Sequence, residues 1–390
     1  MKVAFLTPEY PHPKIGSSGG IGTSIKNLAK GLLQEGCSVR VLIYGQKEEG
    51  IFEDEGILIQ QIQNVKFKGV SWYLTRKKLE RIINELYANQ EIDLVEAPDW
   101  TGITSFIQPK KCPIVIRLNG SDTYFCHLDH RPVKWMNKFH EKRALQKADG
   151  LLSVSRFTAD VTNEVFDLQK EFTIIPNAID VELFDFNSYD NFNNNVYESS
   201  NDKHTILYFG SLIRKKGLLE LPFIFNEVVK RNPNAQLLLI GKDVPDIISG
   251  NSSTWAMMQS LFTPEALQKV YYLGSVPYAD IKNHIKVASL CVFPTFAEAL
   301  PVSWIEAMAL QKSIVASNIG WAKEVIADGV EGFLVHPAAH KQYAERIVEL
   351  LENPKLQQDF GVAARKKVIS TFSIQIVAQQ SLAFYKSLIK

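Results

Sequence analysis

The stretch Pro294-Thr-Phe-Ala-Glu298-Ala-Leu-Pro301-Val-Ser-Trp-Ile-Glu306-Ala-Met-Ala309 decides the reading of this chain. It follows the apolar run Leu290-Cys-Val-Phe293, which has the length and composition of a buried strand. Pro301 is of a type favoured at the first helical position, so the chain from there reads as a helix. Strand, carboxylate, tight turn and helix start come in succession. The free N–H groups and positive dipole end of such a start attract phosphate oxygens. Glu298 and Glu306, eight positions apart, can accept hydrogen bonds from ligand hydroxyls. A sugar nucleotide has both needs. Taken alone, Glu306 reads equally well as a dipole complement in the first helical turn, worth about 0.3–1 kcal/mol. Glu298 precedes the helix and gains little from capping it.

Outward from this stretch, short apolar runs alternate with helical patterns. Strands are expected at 3–7, 39–44, 57–62, 94–96, 114–118, 151–154 and 173–175, then at 206–209, 236–240, 270–273, 290–293, 314–316 and 333–335. Many are rich in Val, Ile and Leu on both faces, which suits parallel strands covered by helices on each side. With helices such as 24–35 and 217–230 between them, the pattern is that of a doubly wound α/β architecture. Residues 185–203 are dense in Asn, Asp and Ser without periodicity and read as an exposed linker. They separate a domain at 1–184 from a second at 204–373, each of a size for one Rossmann-like fold.

The bulk composition narrows the class. Across 390 residues, 46% hydrophobic and 22% charged content are those of a globular protein. A formal charge of +1 argues against broad nucleic-acid binding. The run Val3-Ala-Phe-Leu6 is too short for a signal peptide's apolar region, and no stretch approaches a membrane span of roughly 18 apolar residues. Cys37, Cys112, Cys126 and Cys291 show no C-x-x-C spacing, so a reducing cytoplasm is the expected setting.

The two-glutamate segment resembles the E-x7-E signature of retaining glycosyltransferases with the GT-B fold, family 4 in particular. The likeness continues downstream in Ser313-Ile-Val-Ala-Ser317, Gly320, Glu324-Val-Ile-Ala-Asp-Gly329 and Gly332-Phe-Leu-Val335. Upstream it includes Ile175-Pro-Asn177-Ala-Ile-Asp180, Tyr208-Phe-Gly210-Ser-Leu-Ile-Arg-Lys-Lys216-Gly217, Leu238-Leu-Ile-Gly241 and the early Gly19-Gly-Ile-Gly22. It covers nearly the whole chain. The resemblance implies two Rossmann-like doubly wound parallel-sheet domains facing a central cleft, with residues 374–390 crossing back to the first. It also implies a nucleoside-diphosphate sugar as donor substrate, a saccharide or lipid-linked acceptor, and no further cofactor.

Site residues follow from the same resemblance. Lys216 stands where the family's pattern Gly-Arg-Leu-x-x-x-Lys-Gly has its lysine, and would neutralise the leaving diphosphate. The family's arginine position is Ser211 here, which cannot form a two-pronged phosphate contact; Arg214 is the candidate replacement. Glu298 would bind hydroxyls of the transferred sugar, with the N–H groups of Ala299, Leu300 and Val302 near the distal phosphate. Glu306 would accept from the ribose hydroxyls, and Leu273–Val276 would seat the base. Gly20 and Gly22 would lie near the distal phosphate and the acceptor, although the spacing lacks the third glycine of a dinucleotide fingerprint. Asn119 occupies a position where the family often has histidine, and is read as a positioning residue of the reaction. Asp122 and His127 join it on the acceptor side. No D-x-D motif occurs in the chain, so no metal is expected. His127-Leu-Asp129-His130 resembles a metal site only in passing.

Residues 66–81 carry six basic side chains against one acid, together with Phe67, Trp72 and Tyr73. That mixture suits an anionic membrane surface or a lipid-linked acceptor; the competing reading is an ordinary surface helix with its aromatics packed inward. The reaction reading also has rivals. A nucleotide-sugar epimerase of the same fold would act on the donor without an acceptor. A non-catalytic partner of another transferase would bind the donor without turnover, and the departures at Ser211 and Asn119 give that reading its basis.

Overall fold

The computed structural model describes residues 1–16, 18–186 and 204–389, and the chain divides into two compact units. Met1–Asp180 with Thr371–Lys390 form the first, and Val181–Ser370 the second. Of the expected 185–203 linker, all but Asp185 and Phe186 lies outside the described residues.

The first unit holds strands β1 (Lys2–Thr7), β2 (Ser38–Gln46), β3 (Gly50–Asp54), β4 (Ile57–Gln63), β5 (Leu94–Pro98), β6 (Ile114–Leu118), β7 (Gly150–Ser153) and β8 (Thr173–Ile174). They make one sheet in the order β3-β4-β2-β1-β5-β6-β7-β8, parallel except where β3 meets β4. Helices α1 (Gly20–Gln34), α2 (Ser71–Ala88), α3 (Asp122–Leu128), α4 (Trp135–Lys147) and α5 (Arg156–Phe166) connect the strands. The two-residue period of β1 explains why both sheet faces are covered. Val3 and Phe5 pack with Leu28 and Leu32 of α1, whereas Ala4 and Leu6 pack with Leu79 and Ile83 of α2.

The second unit contains β9 (His204–Phe209), β10 (Ala235–Ile240), β11 (Val270–Tyr272), β12 (Leu290–Phe293), β13 (Ile314–Ser317) and β14 (Phe333–Val335). This sheet is parallel throughout, in the order β11-β10-β9-β12-β13-β14. Its helices are α6 (Leu221–Arg231), α7 (Thr254–Gln259), α8 (Pro264–Leu267), α9 (Tyr278–Val287), α10 (Val302–Ala309), α11 (Ala322–Val325), α12 (His340–Glu352) and α13 (Pro354–Thr371). The doubly wound α/β reading holds in both units. Strand order reverses between β1 and β5 in one sheet and between β9 and β12 in the other. Those reversals open the crevices at strand carboxyl ends where open α/β sheets bind ligands.

The last helix, α14 (Ile374–Leu388), belongs to the first unit and lies against α1. Gly31 permits the approach, because a Cβ there would stand 2.5 Å from the carbonyl oxygen of Ile374. A buried network fixes the same helix to the sheet. Arg117 Nε donates to Glu96 Oε1 at 2.8 Å and Arg117 Nη2 to Ser381 Oγ at 3.1 Å. Tyr385 adds its hydroxyl to Glu96 Oε2 at 2.6 Å.

Candidate active site

In the second unit the site is built by two turns that follow neighbouring strands. After β9 the chain forms a short 3-10 turn, Arg214–Lys216, closed by Gly217 at φ +72°. A Cβ on Gly217 would lie 1.7 Å from the carbonyl oxygen of Pro294, so only glycine lets this loop rest on the turn after β12. Phe296 N and Ala297 N donate to Lys215 O at 2.8 and 3.2 Å and hold the two turns together. Lys216 is thereby brought to Glu298, with Nζ 3.1 Å from Oε1. Both side chains are partly buried. Burial works against the lysine's charge, but the neighbouring Glu298 carboxylate outweighs it and holds Lys216 protonated well above the ordinary lysine range.

Glu306 stands behind this pair. Helix α10 begins at Val302, so Pro301 precedes the first helical residue instead of occupying it. Glu306 then lies beyond the first turn, and the dipole-complement reading has no geometric basis. Its side chain is buried, at 5% exposure, and accepts the Tyr278 hydroxyl on Oε1 at 2.6 Å. Burial pushes the Glu306 carboxyl up to about 7, with Tyr278 and Lys216 pulling the other way. Leu273–Val276 leaves the end of β11, where Leu273 N donates to Leu239 O and Gly274 O accepts from Gly241 N. Tyr278, the first residue of α9, therefore joins the expected base-seating loop to the expected ribose ligand. No sequence motif pointed to it; its only signal was an aromatic residue two positions after Val276.

Ser211 is exposed, and its carbonyl oxygen accepts the buried Tyr208 hydroxyl at 3.0 Å. Arg214 has a partner of its own. Its Nε and Nη2 bind the two oxygens of Asp246 at 2.8 and 2.7 Å, and this pairing holds the Asp246 carboxyl far below the usual range. The guanidinium expected to replace the family's arginine is thus ion-paired with a carboxylate from the loop after β10. Ala299 and Leu300 are buried between Glu298 and the start of α10, and Val302 is half-buried at that start.

In the first unit, the expected residues distribute over two places. Gly20 and Gly22 begin α1, and Gly22 N donates to Glu9 Oε1 at 2.9 Å. Glu9 thus presents a carboxylate at a helix start where an anion is favoured, a residue that pattern reading passed over. Asn119 follows β6 and lines a pocket with Ser24, Glu96, Arg117 and Asn177. Its backbone N–H donates to Asp99 Oδ1 at 2.8 Å, and its side chain donates to Arg117 O. Asp99 is buried at the end of β5, and burial raises its carboxyl to about 7. A second buried carboxylate, Glu141, accepts from the N–H groups of Asp122 and Thr123. Together Asp99 and Glu141 hold the loop from Asn119 to Thr123, and neither stood out in the sequence. The Asp122 carboxylate accepts from Asn137 at 2.9 Å. His127 lines a different pocket, with Thr123, Arg131 and Lys138. The apparent His127–His130 helix pair dissolves, because α3 ends at Leu128 and His130 has φ +51°. Among the described residues no group of three or more His, Cys, Asp or Glu side chains stands together as metal ligands would.

The basic run at 66–81 also changes character. Arg76 is buried and donates to the carbonyls of Trp72, Gly102 and Ile103. Lys77 pairs with Glu80, Lys78 with Glu49 and Arg81 with Glu85. Lys66 and Lys68 remain exposed and pair with no acid among the described residues.

Two doubly wound α/β units with ligand-type groups at their strand ends have the architecture of the GT-B fold. Comparison with known families agrees on both halves. Residues 190–367 match the profile described as Glycosyl transferases group 1, and residues 18–183 that of Glycosyltransferase Family 4. The chain belongs to this group 1, family 4 type of glycosyltransferase. It is 25% identical over 411 residues to alpha-maltose-1-phosphate synthase of Mycolicibacterium smegmatis, with 99% of each chain covered. Its fold is similar to that of sucrose-phosphate synthase from Thermosynechococcus elongatus, at a TM-score of 0.79 and 18% identity, covering 99% of this chain and 98% of the other. Anabaena HepE in complex with UDP-glucose superposes with a TM-score of 0.71 at 19% identity, covering 99% of this chain and 100% of the other.

Proposed function

We propose that this glycosyltransferase moves a sugar, with retention at the anomeric carbon and without a metal, from a nucleoside-diphosphate sugar to a hydroxyl of a saccharide or glycolipid. The observation that carries the proposal is the constellation Lys216, Glu298 and Glu306 at the β9/β12 reversal. The complex of the similar HepE with UDP-glucose supports the donor class.

As the bond to the sugar breaks, negative charge grows on the diphosphate and positive charge on the anomeric carbon. Lys216 supplies a cation already held in place by Glu298, so little reorganisation accompanies charge development. Glu298 accepts from sugar hydroxyls, and the start of α10, through Ala299, Leu300 and Val302, faces the distal phosphate. Glu306 accepts from the ribose, and Leu273–Val276 meets the base. Asn119 is a positioning residue on the acceptor side, with Asp122 and His127 farther along the same segment. It cannot take a proton; the departing phosphate accepts the proton of the acceptor hydroxyl. Synthesis of a cell-surface polysaccharide or glycoconjugate at the cytoplasmic face of a membrane is the setting we assign, with residues 66–81 touching that membrane. Among the described residues no helix is long and apolar enough to cross it.

The test is nucleoside-diphosphate release from a panel of nucleotide sugars, with acceptor sugars and with EDTA. Release that survives EDTA and disappears in Lys216→Ala supports the reading. Nucleotide-sugar epimerisation without release would overturn it.

A further inference from the structure

Helix α4 presents its buried face to the first unit through His140, Glu141, Ala144 and Leu145. Its other face carries Trp135, Lys138, Phe139 and Lys142, whose spacing by three and four places them in one stripe. Trp135 is 74% exposed and Phe139 47%. The stripe continues onto α2 by ring contacts. Phe139 lies 6.4 Å from Phe106, which in turn lies 5.8 Å from Tyr73, and Phe67 projects just before α2 at 63% exposure. Large aromatic side chains left in water in a contiguous patch mark a surface that meets something.

Charge decides what it meets. Between residues 134 and 147 the chain has five basic side chains and one acid, and that acid, Glu141, is buried. Lys138 and Lys142 pair with no acid among the described residues, and Lys66 and Lys68 add to the same sign beside Phe67. This concentration stands out in a chain of formal charge +1. Lysine is depleted in protein–protein contact surfaces, whereas aromatic rings alternating with lysines suit the boundary between anionic headgroups and acyl chains.

We infer that the first unit docks on an anionic bilayer through α4, with Trp135 and Phe139 inserted and Lys138 and Lys142 on the headgroups, and with Phe67 and Tyr73 at the edge of the footprint. The basic residues 76–81, turned inward or paired, contribute little. This inference rests on the membrane setting proposed above and not on the donor site.

The test is co-sedimentation of the full chain with phosphatidylcholine vesicles that contain or lack phosphatidylglycerol. Binding is expected only to the anionic vesicles. Lys138→Gln with Lys142→Gln should lower the partition coefficient about five-fold per lysine. Trp135→Ser with Phe139→Ser should remove binding while leaving a cooperative thermal transition and nucleoside-diphosphate binding in place, since Trp135 is exposed and Phe139 packs only by ring contacts with Phe106 and His140, away from the donor residues. Absence of binding to anionic vesicles would overturn the inference. So would binding that all four substitutions leave intact, or capture of a soluble polyanion by this face without vesicle binding.

Discussion

Tyr278→Phe removes one hydroxyl and should shift the pH dependence of donor binding. The Tyr278 hydroxyl donates to Glu306 Oε1 at 2.6 Å and so favours the charged carboxylate. Burial has already lifted that carboxyl from 4.5 to about 7. A hydrogen bond to a charged group contributes about 1.5–3 kcal/mol. At 1.36 kcal/mol per pKa unit, its loss should raise the Glu306 midpoint by about 1–2 units. A ribose hydroxyl needs an acceptor, and the neutral acid is the poorer one, so affinity should fall as pH drops through the midpoint. Wild-type protein should lose affinity below about pH 7, whereas the variant should begin to lose it at about pH 8–9. Near pH 7.5 the difference amounts to roughly three- to 25-fold in Kd, from the ionised fractions at those midpoints. Calorimetric titration from pH 6 to 9 should use a nucleotide sugar, because its diphosphate has no proton to exchange near neutrality. Coincident midpoints in the two proteins would refute the reasoning. The linkage for stability runs in the opposite sense. Between about 4.5 and 7 the folded protein keeps a proton that the unfolded chain has lost, so rising pH removes stability, about 3 kcal/mol in all. Glu306→Gln should reduce the slope of the melting temperature over that window, leaving the part contributed by the buried Asp99.

Lys216→Ala should lower kcat about 10²–10³-fold with a smaller change in donor affinity, because the lysine acts most strongly on charge formed in the transition state; steady-state kinetics separates the two. Gly217→Ala places a Cβ 1.7 Å from Pro294 O at a left-handed φ, and should cost at least about 2 kcal/mol by urea denaturation. Arg117→Met leaves Glu96 buried without its cation and should cost about 3–5 kcal/mol; adding Glu96→Leu should restore most of it.

Strands with apolar residues on both faces were legible in the sequence, because burial on two sides leaves no room for polar alternation. β3 was not. It is an antiparallel edge strand with alternate residues exposed, and Gly50-Ile-Phe-Glu-Asp54 contains no apolar run. Helix starts were displaced where proline and glycine serve a turn: Gly217 belongs to the loop before α6, which begins at Leu221. At the site, Glu298 and Glu306 were marked by their spacing, since a continuous strand-turn-helix segment fixes where the two glutamates stand, and Lys216 by the family resemblance alone. Partners brought in from elsewhere carried no such mark. Asp246 neutralises Arg214 from 32 residues away, and Tyr278 reaches Glu306 across 28. The basic segment shows the same limit. Charge counts along 66–81 do not show that Lys78 meets Glu49 or that Arg76 turns inward, and the exposed aromatic stripe of α4 becomes visible only when α2 and α4 are seen side by side.

The most direct test of the central claim is product formation from nucleotide sugars by wild-type protein and by the Lys216→Ala and Glu306→Ala variants. The account predicts that one nucleotide sugar yields its nucleoside diphosphate together with an α-configured glycoside in the presence of EDTA. Loss of turnover should dominate in the lysine variant, and weakened donor binding in the glutamate variant. Full activity in both variants, or dependence on an added divalent metal, would contradict it.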